Sequence, residues 1–378
     1  MARPASCVRA RPAYRIVGLA TLPTAAAPGD AHTEGILILQ IVLALAFTVW
    51  AGLALWVRKP GGLVVGRALL VLWLAAACLF LVGFFLPQWP AARPLSASLY
   101  LGAVVLVLAW WAAVRPSNDR DWIPDVACQT QGTVDGDLVT LENVRNFHWR
   151  SADDFDVRWE TRAYDLRRLQ STDLILSYWM HPGIAHALVS FGFGEDRYVV
   201  FSVEIRRKKG DAFSTLGGFF RQYELSVVAA DERDILLVRT NMRGEDSYIY
   251  RVPMAPEAMR SLFLAYVRRA NRLVDKPRFY NTITANCTTI IFKMMNRIVP
   301  GLPLDYRLVA CGYLPEYLYD LGALRGADSV AEYRSRGRYT DRALAEGDAA
   351  GFSAAIRRGV PGIEPRQAAA EPARPASA

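Results

Sequence analysis

Histidine and cysteine are scarce in this chain of 378 residues: there are four of the first and five of the second. No CxxC pair or histidine-rich spacing occurs, so neither a zinc site nor any other metal or cofactor is expected. An odd number of cysteines, one of them (Cys78) inside a long apolar run, does not make a disulfide framework. Acidic residues are missing from the first 29 positions, where Arg3, Arg9, Arg11 and Arg15 stand alone. Charge of either sign is missing from three long runs, Gly35 to Val57, Ala68 to Leu86 and Leu95 to Val114. No nucleic-acid module accompanies the net charge of +8, which excludes the simplest reading of a basic protein.

Each uncharged run is long enough to cross ~30 Å of hydrocarbon as a helix. Arg58 and Lys59, Pro87 and Trp89, and Arg115 and Pro116 close the runs, and Trp50, Trp56, Trp110 and Trp111 stand near their ends as interfacial aromatics do. The first run starts too late and extends too far for a cleaved signal peptide. Orientation does not follow from charge. The arginine-rich arm argues for a cytoplasmic N-terminus, whereas Arg58, Lys59 and Arg67 argue for a cytoplasmic first loop, and both flank the same span.

The expected organisation is an N-terminal arm (1–34), a three-helix membrane region (35–114), a juxtamembrane linker (115–134), a folded domain (135–325) and a weakly ordered Ala-, Arg- and Pro-rich tail (326–378). The domain alternates as strands do at Leu138–Val144, Asp156–Ala163, Asp173–Trp179, Ile184–Phe193, Tyr198–Arg206, Glu224–Ala229, Ile235–Arg239 and Tyr248–Val252. Helices are expected from Pro256 to about Leu273, from Cys287 to about Ile298 and in GYLPEYLYDLGAL. The fold class is α+β, an antiparallel sheet with packed helices behind three transmembrane helices.

Two features carry chemistry. Asn286 is placed to cap a helix that starts at Cys287 and continues through Ile290, Ile291, Met294, Met295 and Ile298. A thiol there lies at the positive end of the helix dipole, where thiolate is favoured and free N–H groups can hold an oxyanion. The second feature is the hairpin IAHALVSFGF-GED-RYVVFSVEIR. Its apolar alternation pairs Phe191 with Val199, Val189 with Phe201, Ala187 with Val203 and Ala185 with Ile205. That register sets His186 against Glu204 on the polar face, shared with Ser190, Ser202 and Arg206. A carboxylate there would orient the ring, and the ring would activate a thiol. Cys287 as nucleophile, His186 as base and Glu204 as orienting acid are the expected triad. Asn286, Thr288 and Tyr280 are candidates for oxyanion or supporting roles. Each member also has a plain reading: a packed core thiol, an exposed strand histidine and a surface ion pair. His181 before Pro182 suits a turn, His148 sits among aromatics, and Cys311 has no cap ahead of it and is expected to be packed. RRKKG, with Arg206, Lys208 and Lys209, suits either an anionic headgroup surface or a solvated loop. FSTLGGFFRQY, from Phe213 to Tyr223, suits either acyl-chain contact or a packed connecting helix.

The strings NDRDWIPDVA, VRNFHWRSADDF, IAHALVSFGF with SVEIRR, FSTLGGFFRQYE, YNTITANCTT and GYLPEYLYDLG together resemble the Lnb N-terminal periplasmic domain, over about Asp119 to Arg325. That domain is similar in turn to permuted NlpC/P60-like, papain-like thiol enzymes, in which a strand histidine precedes a helix cysteine. The resemblance implies His186 as base, Cys287 as nucleophile, and Glu204 in the slot of the third polar residue. It also implies an inner-membrane protein with its domain in the periplasm. The implied reaction is acyl transfer through a Cys-linked thioester, with a membrane lipid or lipoprotein acyl group as substrate. A cell-wall peptide amidase and a non-catalytic membrane-anchored scaffold remain the alternatives.

Overall fold

A computed structural model describes residues 28–85 and 92–363. Most of the arm expected at 1–34, including Cys7, lies outside the described residues, as do Pro87, Trp89 and the stretch from 364 onward. The uncharged runs form helices α1 (Pro28–Arg58), α2 (Leu63–Phe85) and α3 (Ala92–Ala113). Each contains 21 residues long and apolar enough to cross a membrane: Ile38–Arg58, Leu63–Gly83 and Arg93–Ala113. The chain divides inside α1 into one compact unit ending at Gly52 and a second from Leu53 onward. Within the second unit, Tyr100 of α3 packs between Trp73 and Phe80 of α2, with ring centroids 5.4 and 4.8 Å away.

The domain is built on one eight-stranded sheet in the order β1 (Gln131–Asp135), β2 (Leu138–Arg145), β9 (Glu224–Ala230), β8 (Tyr198–Arg206), β7 (Ala185–Gly192), β6 (Ser171–Tyr178) and β10 (Asp246–Arg251), with β5 (Trp159–Asp165) paired to β2. Neighbours are antiparallel apart from one parallel bridge between β2 and β9. The strand expected at Asp156–Ala163 is interrupted: β4 (Phe155–Asp156) pairs with β3 (His148–Trp149) in a separate ribbon.

Both faces of the central strands are covered. One face, with Leu176, Val189, Phe191, Phe201 and Val227, packs on α6 (Pro256–Asp275) through Phe263 and Tyr266, and on α7 (Cys287–Ile298) through Ile290 and Met294. Phe263 meets Phe191 and Phe201 edge-on at 5.2 and 5.4 Å. The other face, with Ile175, Leu188, Val200, Val228 and Ile249, packs on Tyr339, Ala343, Phe352 and Ile356. Those residues belong to the segment expected to be weakly ordered. It carries α9 (Val330–Gly337), α10 (Thr340–Glu346) and α11 (Phe352–Ile356) instead. An antiparallel sheet whose second face is apolar needs a second cover, and this segment supplies it despite its composition.

A second correction falls at Ile235–Arg239, expected as a strand. Asp231 caps a short helix α5 (Glu232–Ile235), accepting from the Arg233 N–H at 3.0 Å. Glu232 and Asp234 add acidic groups to its first turn, where the helix dipole favours them. A π-helical turn, Val238–Met242, comes next and turns Arg239 inward.

Candidate active site

β7 and β8 pair from Gly192–Tyr198 through Val189–Phe201 to Leu188–Ser202 and then separate. Beyond that point β7 stays paired with β6 as far as Ala185–Tyr178, and β8 stays with β9 as far as Arg206–Glu224. The expected pairs Phe191–Val199 and Val189–Phe201 form; Ala187–Val203 and Ala185–Ile205 do not. The sheet therefore splits into a V with Ser202 at its crotch and His186 and Glu204 on its two arms. The start of α7 meets both arms, and a cleft of about 550 Å³ opens there, lined by His186, Glu204, Arg239, Tyr280, Asn286 and Cys287 among others. Splitting the sheet lets a helix that packs on one face bring its first residue to side chains that point toward the other.

Asn286 caps α7 in a reciprocal box with Thr289. Its side chain accepts from the Thr289 N–H at 2.7 Å, and the Thr289 hydroxyl accepts from the Asn286 N–H at 3.0 Å. Asn286 Nδ2 also donates to the Thr282 carbonyl at 2.8 Å, which ties the cap to the preceding loop. The first intrahelical bond runs from the Ile290 N–H to the Asn286 carbonyl, 3.2 Å. The N–H groups of Cys287 and Thr288 come before it and are those the cap leaves to a ligand. Thr288 is buried, with its hydroxyl 3.8 Å from the Cys287 sulfur.

The imidazole of His186 is held at Nε2, 2.7 Å from Ser202 Oγ and 3.2 Å from Glu204 Oε1. Ser202 Oγ gives its one proton to Glu204 Oε1 at 2.7 Å, so it accepts from Nε2–H. Nδ1 is then the ring nitrogen left for the sulfur. Burial works to lower the His186 imidazole, but the Glu204 charge and hydrogen bonds with Cys287 and Glu204 outweigh it, against Arg239, and raise it to about 9. Burial likewise opposes the charge on Glu204, yet His186, Arg239 and Ser202 hold its carboxyl well below the usual range.

The sequence does not single out Arg239, Glu245 or the placement of Cys311. Arg239 donates to Glu204 Oε1 and to Glu245 Oε2, both at 3.1 Å, and Glu245 accepts from the Ser177 hydroxyl at 2.7 Å. The usable signal was Asp231 before Glu232 and Asp234, a helix start in place of a strand. Cys311, buried as expected, shares the cleft wall and gives its S–H to the Ala185 carbonyl at 2.6 Å. A hydrogen bond with Cys311, and then burial, push the Cys287 thiol up to about 12, while the same bond holds Cys311 down at about 7. The two sulfurs titrate as one unit, losing a first proton near neutrality and holding the second.

The remaining candidates fall into place around this group. Tyr280 lines the cleft, and burial pushes its phenol up, so it stays a hydrogen-bond donor. Arg206, expected at a headgroup surface, is instead buried: it stacks 4.4 Å over Trp122 and donates to the Val126 carbonyl and Asn118 Oδ1, both at 2.9 Å. That packing fixes the linker to β8. Lys209 pairs with Asp121 at 2.8 Å, and Lys208 lies 3.9 Å from Asp211. His181 forms the expected turn, its Nδ1 accepting from the Gly183 N–H at 3.1 Å. His148 pairs with Asp348 at 2.9 Å on the surface. Among the described residues no cluster of three or more metal-ligating side chains occurs.

Fold and cleft together define a membrane-tethered α+β domain with a cysteine and a histidine facing each other in a split sheet. Residues 155–312 match the Lnb N-terminal periplasmic domain. No curated protein and no solved structure matches the chain. The protein is thus an inner-membrane protein with three spans and a C-terminal periplasmic domain.

Proposed function

We propose that this protein is a thiol acyltransferase or hydrolase that works through an acyl group carried on Cys287, with a membrane lipid or lipoprotein acyl ester as donor. The observation that carries the reading is His186, held through Nε2 by Ser202 and Glu204 and hydrogen-bonded to Cys287 at a capped helix start. The first proton lost from the two thiols leaves near neutrality, mainly from Cys311, while the imidazole is still protonated; when Cys287 passes its proton to Cys311 along their hydrogen bond, a Cys287 thiolate stands beside the imidazolium. The Cys287 thiolate attacks the ester carbonyl carbon, and the oxygen that gains the charge is taken by the Cys287 and Thr288 N–H groups and the Tyr280 hydroxyl. Collapse breaks the carbon–oxygen ester bond. The departing alkoxide takes the Nδ1 proton of His186 and leaves a thioester with a neutral imidazole. An acceptor amine or water then attacks the thioester as His186 removes its proton, and the thiolate leaves.

Glu204 stabilises the imidazolium at the start and end of each cycle, and Arg239 holds Glu204 in place. Apolar groups around the cleft, among them Trp179, Ile184, Phe213 and Val309, favour an acyl chain over a cell-wall peptide. The test is intact-mass analysis of protein purified from membranes. The expected result is a fatty acyl mass on Cys287 that hydroxylamine at neutral pH removes and that Cys287→Ala lacks. A parent protein that carries no such mass after incubation with phospholipid, although iodoacetamide still alkylates its Cys287, would overturn the reading.

A further inference from the structure

Between β8 and β9 the chain makes a five-residue helix, α4 (Thr215–Phe219), whose packing is unusually tight on one side. A Cβ on Gly217 would come within 2.3 Å of the Gln222 side chain, and one on Gly218 within 2.2 Å of the Thr282 hydroxyl. Gly217 lets the chain fold back tightly on Gln222 and Tyr223, Gly218 lets α4 lie directly on the loop that carries Tyr280 and leads to Cys287, and Thr282 Oγ1 donates to the Thr215 carbonyl at 3.3 Å. The opposite side is apolar and uncovered: Phe213 is 56 % exposed, Leu216 47 % and Phe219 39 %, and in the supporting loop Ile283 is 49 % exposed. Fixed apolar side chains clustered on a surface mark a contact with something apolar.

Arg221, two residues beyond α4, identifies that contact. It sits in the left-handed region at φ +55°, where a non-glycine residue persists only if its surroundings hold it. They do: its guanidinium lies 4.4 Å over the Trp111 ring and donates to the Trp111 carbonyl at 3.0 Å, in the last turn of α3. Arg58, the last residue of α1, donates to the Arg221 carbonyl and covers the Phe279 ring. Tryptophan and arginine at span ends mark the level of the bilayer surface, so α4 is fastened to that level. Phe213, Ser214, Thr215 and Gly218 also line the cleft that holds Cys287.

We infer that Phe213, Leu216, Phe219 and Ile283 form a lip immersed in the periplasmic leaflet of the bilayer that the spans cross, so that the cleft opens onto lipid. The inference does not depend on acyl transfer, since the lip contacts lipid whether or not Cys287 reacts. The experiment places the photoreactive amino acid benzoylphenylalanine at Leu216, at Phe219 or, as a reference, at Leu344, which is 53 % exposed on α10. The full chain is reconstituted in vesicles of phosphatidylethanolamine and phosphatidylglycerol and irradiated. Alkylation of Cys287 by soluble iodoacetamide confirms that each labelled protein keeps its cleft. The expected result is a phospholipid-mass adduct at Leu216 and Phe219 about tenfold above that at Leu344, as for an interfacial element. Equal yields at the three positions would overturn the lip. Repeating the measurement in Cys287→Ala separates the two ideas: adducts there with no acyl-enzyme in the parent protein would leave the lip standing and remove the acyltransferase.

Discussion

Arg239 and His186 approach the same oxygen of Glu204, at 3.1 and 3.2 Å. One carboxylate oxygen therefore faces two buried cations, and each cation's state depends on the other. Arg239 works to lower the imidazole, and Glu204 works to raise it. Opposite shifts are expected from the two neutral substitutions. In Arg239→Gln the alkaline limb of acyl-ester turnover moves above the parent value of about 9, and in Glu204→Gln it moves below it. Shifts of about one pH unit are expected from loss of one close charge. Turnover of a p-nitrophenyl acyl ester across pH gives both limbs. Shifts in the same direction would show that the substitutions act through general loss of structure.

The raised imidazole also predicts how stability depends on pH. The His186 value in the folded protein is about 9, above the usual 6.5, so folding favours the protonated ring. Its contribution is complete below about pH 6.5 and is lost as pH rises through 9. Thermal midpoints of the detergent-purified protein should fall between those values, and His186→Gln should flatten that part of the curve. Glu204 acts at the other end. Its carboxyl is held low, so its contribution is present above the unfolded carboxylate range and disappears as pH falls through the folded value. A parent protein with the same slope as His186→Gln in the alkaline range would contradict the ion pair.

Cys311 restrains the Cys287 thiol. Its hydrogen bond is the largest influence raising the Cys287 thiol, and His186 pulls the other way. In Cys311→Ala only burial opposes the imidazolium, so alkylation of Cys287 at pH 7 should become several-fold faster. In His186→Ala it should become slower, with acyl-ester turnover down by about 10²–10⁴ as for loss of a general acid–base. Mass-spectrometric rates for the Cys287 peptide distinguish the cases. A rate unchanged by either substitution would mean that the sulfur is only packing.

The hairpin was legible because alternation has a period of two, and a slip by one residue would have turned Phe191 and Phe201 outward. The cap at Asn286 was legible for an equally local reason. The split of the sheet beyond Leu188–Ser202 was not, because strand patterns carry no mark of where a ladder stops. Arg239 was hidden by Ile235–Arg239 read as strand, although Asp231, Glu232 and Asp234 announce a helix. Arg206 shows the converse failure. A basic run reads as surface, and only the tertiary fold reveals that Trp122 and Asn118 enclose its arginine. Residues 330–360 misled through composition. Alanine and arginine suggest a solvated tail, and the buried Tyr339, Phe352 and Ile356 are too widely spaced to form a pattern.

That segment makes the last prediction. Arg357, beyond α11, is buried, and its guanidinium reaches Asp173 Oδ2 at 2.9 Å and Glu232 Oε2 at 2.7 Å, with Tyr198 3.7 Å below. It therefore joins β6 to α5, the helix that leads into the turn bearing Arg239. Arg357→Leu keeps the apolar stem but leaves two buried carboxylates short of a cation. Asp173 retains Arg251, and Glu232 retains the Ser190 hydroxyl, so the loss is partial for each. Breaking a buried ion network from one side costs about 3–5 kcal/mol. The urea midpoint should fall accordingly, and limited proteolysis should begin to cut between 326 and 363. The exposed pair Arg336–Glu332 is the contrast: Arg336→Ala should change stability by less than about 1 kcal/mol and leave the segment resistant. Because α5 shifts with Arg357, the Leu variant should also slow alkylation of Cys287, while Arg336→Ala should not. Resistance to protease equal to that of the parent would mean that the apolar cover alone holds the segment to the sheet.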